Sequence, residues 1–145
     1  MKTMKCLIVE DEKVAAERLK KLIIDYDPGI EILDLTQSIS KSVEWFNTHA
    51  EPDLVFMDIQ LSDGLSFEIF EQIESNFPVI FTTAYDEYAL RAFKLNSIDY
   101  LLKPIAPEEL KQAIDKYKSQ TKSIQYPAHV FDSVLHNLTQ KYKSK

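Results

Sequence analysis

Glycine is almost missing from this chain: of 145 residues only Gly29 and Gly64 are glycine. Two isolated glycines cannot form the glycine-rich loop that cradles a nucleotide's phosphates, which excludes that mode of nucleotide binding. Cysteine is rarer still. The single Cys6 has no internal partner for a disulfide, and its place in an apolar run is that of a small core residue. Apolar runs stop at four or five residues, far short of the roughly 20 that a spanning helix needs. The opening MKTMKCLIVED ends its short apolar run in acids. It is no secretory signal, so no membrane is expected and the cytoplasm is the expected compartment. Basic side chains are also scarce through most of the chain. Residues 1–110 carry 10 basic against 21 acidic groups and residues 111–145 carry 7 against 2, together the net −6. An acidic body is unsuited to neutralising phosphates, so nucleic-acid binding by that body is not expected. The basic tail reads as a solvated helix and linker.

What is present is an alternation of two patterns. KCLIVE (5–10), IEILDL (30–35), DLVFMD (53–58), PVIFTT (78–83) and DYLLK (99–103) read as strands. Three of them are apolar without alternation, as strands buried on both faces should be. Between them lie segments of helical period: Ala15, Leu19, Leu22 and Tyr26; Ile39, Val43 and Phe46, with Ser38 or Ser40 as cap; Phe67, Phe70 and Ile73; Ala89 and Phe93; Leu110, Ile114 and Tyr117. Pro107, Glu108 and Glu109 suit the first turn of the fifth. Five strand-then-helix units predict an open parallel sheet with helices on both faces, joined by right-handed crossovers. Ligands of such sheets bind beyond the carboxyl ends of the strands, where strand order reverses.

The strand ends therefore matter most. The first closes in Glu10 and Asp11, the third in Asp58, the fourth in Thr82 and Thr83, the fifth in Lys103. Each alone has a plain structural explanation, as a helix cap, a strand-end hydroxyl or a solvated lysine. Together they place three acids, hydroxyls and an ammonium at one edge. Crowded carboxylates resist ionising together, and a divalent cation removes that conflict. Oxygen ligands without His or Cys suit Mg²⁺ or Mn²⁺. Thr83 can donate to a phosphoryl oxygen and Lys103 can pair with another. Asp58, between the acidic pair and the Thr/Lys pair, is the candidate nucleophile towards phosphorus.

IVEDE, LVFMDIQLSDG, FTTAYDEYALRAF and IDYLLKPI, in this order, resemble the receiver domain of bacterial two-component response regulators. The resemblance covers residues 4–119 and implies a flavodoxin-like doubly wound (βα)5 sandwich, with a five-stranded parallel sheet in the order 2-1-3-4-5. It implies that Asp58 accepts phosphate from a sensor histidine kinase. Glu10, Asp11, Asp58 and the backbone carbonyl of Gln60 would hold Mg²⁺, Asp11 directly. Thr83 would be the switch hydroxyl, Lys103 the phosphate-contacting lysine on a cis bond to Pro104, and Tyr100 the aromatic switch. From the residues alone, Tyr100 is equally a half-buried strand aromatic. Gln60 and Tyr85 would tune the lifetime of the phosphoryl group. Two departures, the short loop IQLSDGLS and Glu10 in place of Asp, bear on the detailed metal geometry.

AYDEYALRAFKLNSIDYLLKPI is similar to receivers attached to LytTR-type DNA-binding domains. That narrower likeness implies a receiver over residues 1–120 and a linker helix over 121–145, leading to a DNA-binding domain not present here. Val130 or Phe131, Val134, Leu138 and Tyr142 give that tail helical spacing. A homodimer is expected through the fourth helix, fifth strand and fifth helix, where Tyr88, Arg91, Lys94, Asp99 and Glu109 mix opposite charges. Enzymatic turnover is not expected beyond the domain's own phosphorylation and slow autodephosphorylation. A phosphohydrolase of the haloacid-dehalogenase type would need a second acid two residues after the nucleophile, and that position is Gln60. Against a phosphate-independent dimerisation module stands the intact acid, threonine and lysine set.

Overall fold

The computed structural model describes residues 3–73, 77–85 and 97–122. Seven strands and four helices fall within them. The strands are β1 (Lys5–Val9), β2 (Glu31–Thr36), β3 (Leu54–Asp58), β4 (Gln60–Leu61), β5 (Gly64–Leu65), β6 (Val79–Thr83) and β7 (Asp99–Leu102). The helices are α1 (Lys13–Tyr26), α2 (Ile39–Thr48), α3 (Ile69–Gln72) and α4 (Pro107–Lys122). A 3₁₀ turn, Ser66–Glu68, leads into α3. The expected fourth helical segment, around Ala89 and Phe93, and the tail beyond Lys122 lie outside the described residues.

The main sheet is parallel throughout, in the order β2-β1-β3-β6-β7. With β4 and β5 set aside as a separate hairpin, this is the 2-1-3-4-5 order expected of a flavodoxin-like fold. Every residue of β3 and β6 is buried, which explains their unbroken apolar runs. The edge strand β2 alternates less cleanly, because only one of its sides is paired.

Two cores flank the sheet. One, under α1 and α4, is mainly aliphatic: Ile8, Leu19, Ile23, Leu54, Ile80, Leu110 and Ile114. The other, under α2 and α3, is rich in aromatics, with Phe46 stacked on Phe77 and Phe67 set edge-on to Phe81. Burying each large side chain contributes about 1.5–3 kcal/mol before the entropy cost of ordering it.

Two helical expectations are corrected. The buried stripe of α1 is Ala16, Leu19 and Ile23. Leu22 and Tyr26 lie only partly buried at its margin, because the helix is rotated to meet α4 as well as the sheet. Phe67, Phe70 and Ile73 all pack on the aromatic core as expected, but not from a single helix. Phe67 sits in the 3₁₀ turn, and α3 closes at Ile73, whose backbone is extended. The predicted cap of α2 is Ser38, whose hydroxyl accepts from the Lys41 amide.

Candidate functional site

The parallel register brings the expected strand ends together. Asp58 is in register with Thr82, Val9 with Met57, and Thr83 with Leu102. Residues just past β1 and β7 therefore flank the end of β3. Glu10 and Asp58 are buried here, while Asp11 is exposed. One oxygen from each of these three carboxylates lies within 4.8 Å of the others.

Lys103 joins them from the opposite side. Its Nζ donates to Glu10 Oε1 at 2.5 Å and to Asp58 Oδ2 at 2.9 Å. Lys103 follows β7, whose neighbour is β6, and it is anchored there by its own amide on the Thr83 carbonyl. The Lys103–Pro104 peptide is cis. Burial is the largest influence on the Lys103 ammonium and would lower its pKa. The hydrogen bonds and charges of Glu10 and Asp58 together outweigh it, and the pKa is raised. Burial also dominates at Glu10, pushing its carboxyl up; Asp58 adds to that push and Lys103 opposes it. Asp11 is raised by desolvation and then by its contact with Glu10. Three carboxylates thus share one lysine. A hard divalent cation with oxygen preferences suits that donor set.

The remaining expected residues form a second connected group. The Thr83 hydroxyl accepts from the Tyr85 amide at 3.2 Å. The Tyr100 hydroxyl donates to the Tyr85 carbonyl. Thr83 and Tyr100 thus meet through one residue, Tyr85, whose side chain is half exposed. Tyr100 also packs on the aromatic core. Gln60 is tied to the acids through its backbone, its amide donating to Asp58 Oδ1 at 3.3 Å. A groove of about 310 Å³ opens beside the acids between α1 and the chain after β7. Glu10, Val14, Arg18, Thr82, Lys103 and Ile105 line it, and Val14 is 77% exposed there.

Two features were not legible as site elements. The pairing of Glu10 with Lys103 joins residues 93 apart, and only the sheet order makes them neighbours. Asp63 accepts from the amides of Ile39 and Ser40 at the start of α2, at 2.8 and 3.2 Å. SDG is an ordinary turn signal, and nothing in it names a helix 24 residues earlier.

Fold and site together define a doubly wound α/β domain with an acid-and-lysine carboxyl edge. The model of the response regulator receiver domain matches residues 6–115, and the chain belongs to that family. The sensory transduction protein LytT of Bacillus cereus is 38% identical over 123 residues, covering 83% of this chain and 49% of LytT. LytR of Staphylococcus haemolyticus is 37% identical over 120 residues, covering 81% of this chain and 46% of LytR. The chain thus spans about half the length of the curated relatives it matches and corresponds to the receiver domain of LytT/LytR-type response regulators. Among solved structures, the response regulatory domain of mrkE from Klebsiella pneumoniae is similar, with a TM-score of 0.71 at 28% identity. That match covers 80% of this chain and 96% of the other. Among the described residues, no helix is long and apolar enough to cross a membrane.

Proposed function

We propose that Asp58 is the phosphoacceptor of this receiver and that its phosphorylation by a sensor histidine kinase switches an output surface. The observation that supports this most directly is the Lys103 ammonium held between Glu10 and Asp58, beside a third acid, at the strand ends. In the transfer an Asp58 carboxylate oxygen bonds to phosphorus. The phosphorus–nitrogen bond to the donor histidine breaks, and that nitrogen keeps the electron pair. Lys103, already against Asp58 Oδ2, then pairs with a phosphoryl oxygen. The groove beside exposed Val14 leaves room for a protein donor.

Glu10, Asp11, Asp58 and the Gln60 carbonyl would hold Mg²⁺, or Mn²⁺ in its place. When bound, the ion offsets the repulsion among the carboxylates and the charge on the phosphoryl oxygens. The Thr83 hydroxyl accepts from Tyr85 and keeps its own proton to donate. Turning that hydroxyl to a phosphoryl oxygen would release the Tyr85 amide, the residue to which Tyr100 is also bonded. Gln60 and Tyr85 would flank the path of the hydrolytic water and set the lifetime of the phosphoryl group. The domain would support only its own phosphorylation and slow autodephosphorylation, in the cytoplasm.

The output follows from the same reading. Residues 1–120 would be the receiver and 121–145 a linker to a LytTR DNA-binding domain. The phosphorylated form would pair with a second copy through the segment after Tyr85, β7 and α4. Asp99 and Glu109 lie on β7 and α4, while Tyr88, Arg91 and Lys94 lie outside the described residues. No DNA contact is expected from this chain itself. The test is intact mass after incubation with Mg²⁺ and acetyl phosphate. Wild type gains one phosphoryl group and Asp58→Asn gains none; equal labelling of the mutant would move the acceptor elsewhere.

A further inference from the structure

The loop after Asp58 is tied to a helix that takes no part in the chemistry. Asp63 spreads its carboxylate over two amides of α2, Ile39 and Ser40. Ser38 serves a third, Lys41. A helix leaves its first four amides without internal partners, so the loop completes what the local cap begins. The Ile39 amide is the main reason the Asp63 carboxyl is held below the ordinary range.

A second, independent observation shows the loop docked on α2. Gly64 has φ +140, and a Cβ there would come within 3.2 Å of Ile39 Cδ1 and 2.6 Å of a Glu68 carboxylate oxygen. Only a residue without a side chain lets the backbone approach this closely. Leu61 is buried and Leu65 half-buried in the aromatic core beside them. The same hairpin pairs Gln60 with Leu65, and the Gln60 amide donates to Asp58 Oδ1. An unbroken sequence of contacts therefore runs from the first turn of α2 through Asp63, the hairpin and Gln60 to the Asp58 carboxylate.

We propose that Asp63 is a positioning residue: by clamping the hairpin to α2 it fixes Gln60, and through Gln60 the orientation of Asp58 towards its metal and phosphoryl partners. This rests on the reading of Asp58 as the phosphoacceptor. It adds that the geometry of that site is set from the α2 side of the sheet. Gln60 acts twice in this account, through its amide on Asp58 and through its carbonyl towards Mg²⁺. Loosening the hairpin disturbs both. Partners that orient metal ligands typically cost about 10–100-fold in metal affinity when removed; for an exposed clamp the low end, about 10-fold, is expected.

Two measurements on the whole chain test this. In metal-free buffer, amide hydrogen exchange at Gln60 should speed up about 10-fold in Asp63→Ala, while Ile80, in the buried strand β6, should not change and thereby reports intact folding. By calorimetry, the Mg²⁺ dissociation constant should rise about 10-fold in Asp63→Ala. Asp63→Asn, which keeps one acceptor oxygen, should fall between it and wild type. Loss of thermal stability with unchanged Gln60 exchange and unchanged Mg²⁺ affinity would reduce Asp63 to a helix cap and overturn the proposal. Faster Gln60 exchange in Asp63→Ala, with no Mg²⁺ binding to wild type, would uphold the clamp and instead sink the metal reading of Glu10, Asp11 and Asp58.

Discussion

Asp58 closes β3 and Asp63 stands five residues later, between β4 and β5, and the molecule surrounds them in opposite ways. Asp63 meets donors, as does Asp27 at the far end of α1. The former accepts from two amides of α2, the latter from Lys118 Nζ and the Gly29 amide. Both carboxyls are held below the ordinary range, Asp63 chiefly by the Ile39 amide and Asp27 chiefly by Lys118. At the strand ends the proportions invert. Among the described residues, Glu10 and Asp58 share the ammonium of Lys103, with Asp11 beside them. Burial first, and like charge after it, push Glu10 and Asp11 up. The rim acids help to hold the fold, whereas Glu10 and Asp11 are held by it in a setting that disfavours their charge. Such a cluster of oxygens could hold a metal ion.

Removing the Lys103 ammonium breaks this contrast most severely. Lys103→Met leaves Glu10 and Asp58 close together and uncompensated. Losing one member of a fully buried pair costs about 3–5 kcal/mol, and solvent access to this site reduces the expected cost to about 2 kcal/mol in metal-free buffer. Urea unfolding with and without Mg²⁺ checks it: the loss should shrink when the ion is added. An unchanged midpoint in EDTA would show that these acids do not depend on the lysine.

Adding charge to the wild type should have the next largest effect. A ligand at about 10 times its dissociation constant stabilises the folded state by about 1.4 kcal/mol. Thermal melts in Mg²⁺ should rise accordingly and return on chelation. Asp11→Asn should diminish the gain and Asp27→Asn should leave it whole. Equal gains in both variants would place the ion away from the strand ends.

The rim offers the smallest effect and the clearest sign. Asp27 and Lys118 are partly exposed, so Asp27→Asn should cost less than about 1 kcal/mol at neutral pH. The folded Asp27 carboxyl titrates below its ordinary value of 3.8. Its contribution is therefore complete above that value and is lost as pH falls through the lower folded value. Stability curves of wild type and Asp27→Asn should differ at pH 7 and converge in acid. A gap that widens below pH 4 would contradict the pairing.

Much of this was open to reading along the chain. Strands buried on both faces must be apolar at every position, so LVFM and VIF identify β3 and β6 without any partner in view. An acid, a threonine and a lysine closing such runs are visible for the same reason, since polar groups interrupt a buried run only where it reaches an edge. The margins were less legible. The turn of α1 depends on how α4 packs beside it, and α3 is short because its expected start is a 3₁₀ turn and its end an extended Ile73. Tyr26 shows the limit well: its ring reads as a core aromatic, yet it lies at the rim, with its hydroxyl on Asp115.

By itself, then, the sequence determined the element types, the parallel sheet and the chemical character of its carboxyl edge. Those follow from local periodicity and from the rule that polar residues end buried strands. Only the tertiary structure decided which charges meet. Lys103 lies between Glu10 and Asp58 because β1, β3, β6 and β7 are adjacent in that order, and Asp63 reaches α2 because the hairpin folds back over Ile39. Coulomb and hydrogen-bond energies depend on distance in space, and separation along the chain carries almost no information about that distance until the strand order and register are set.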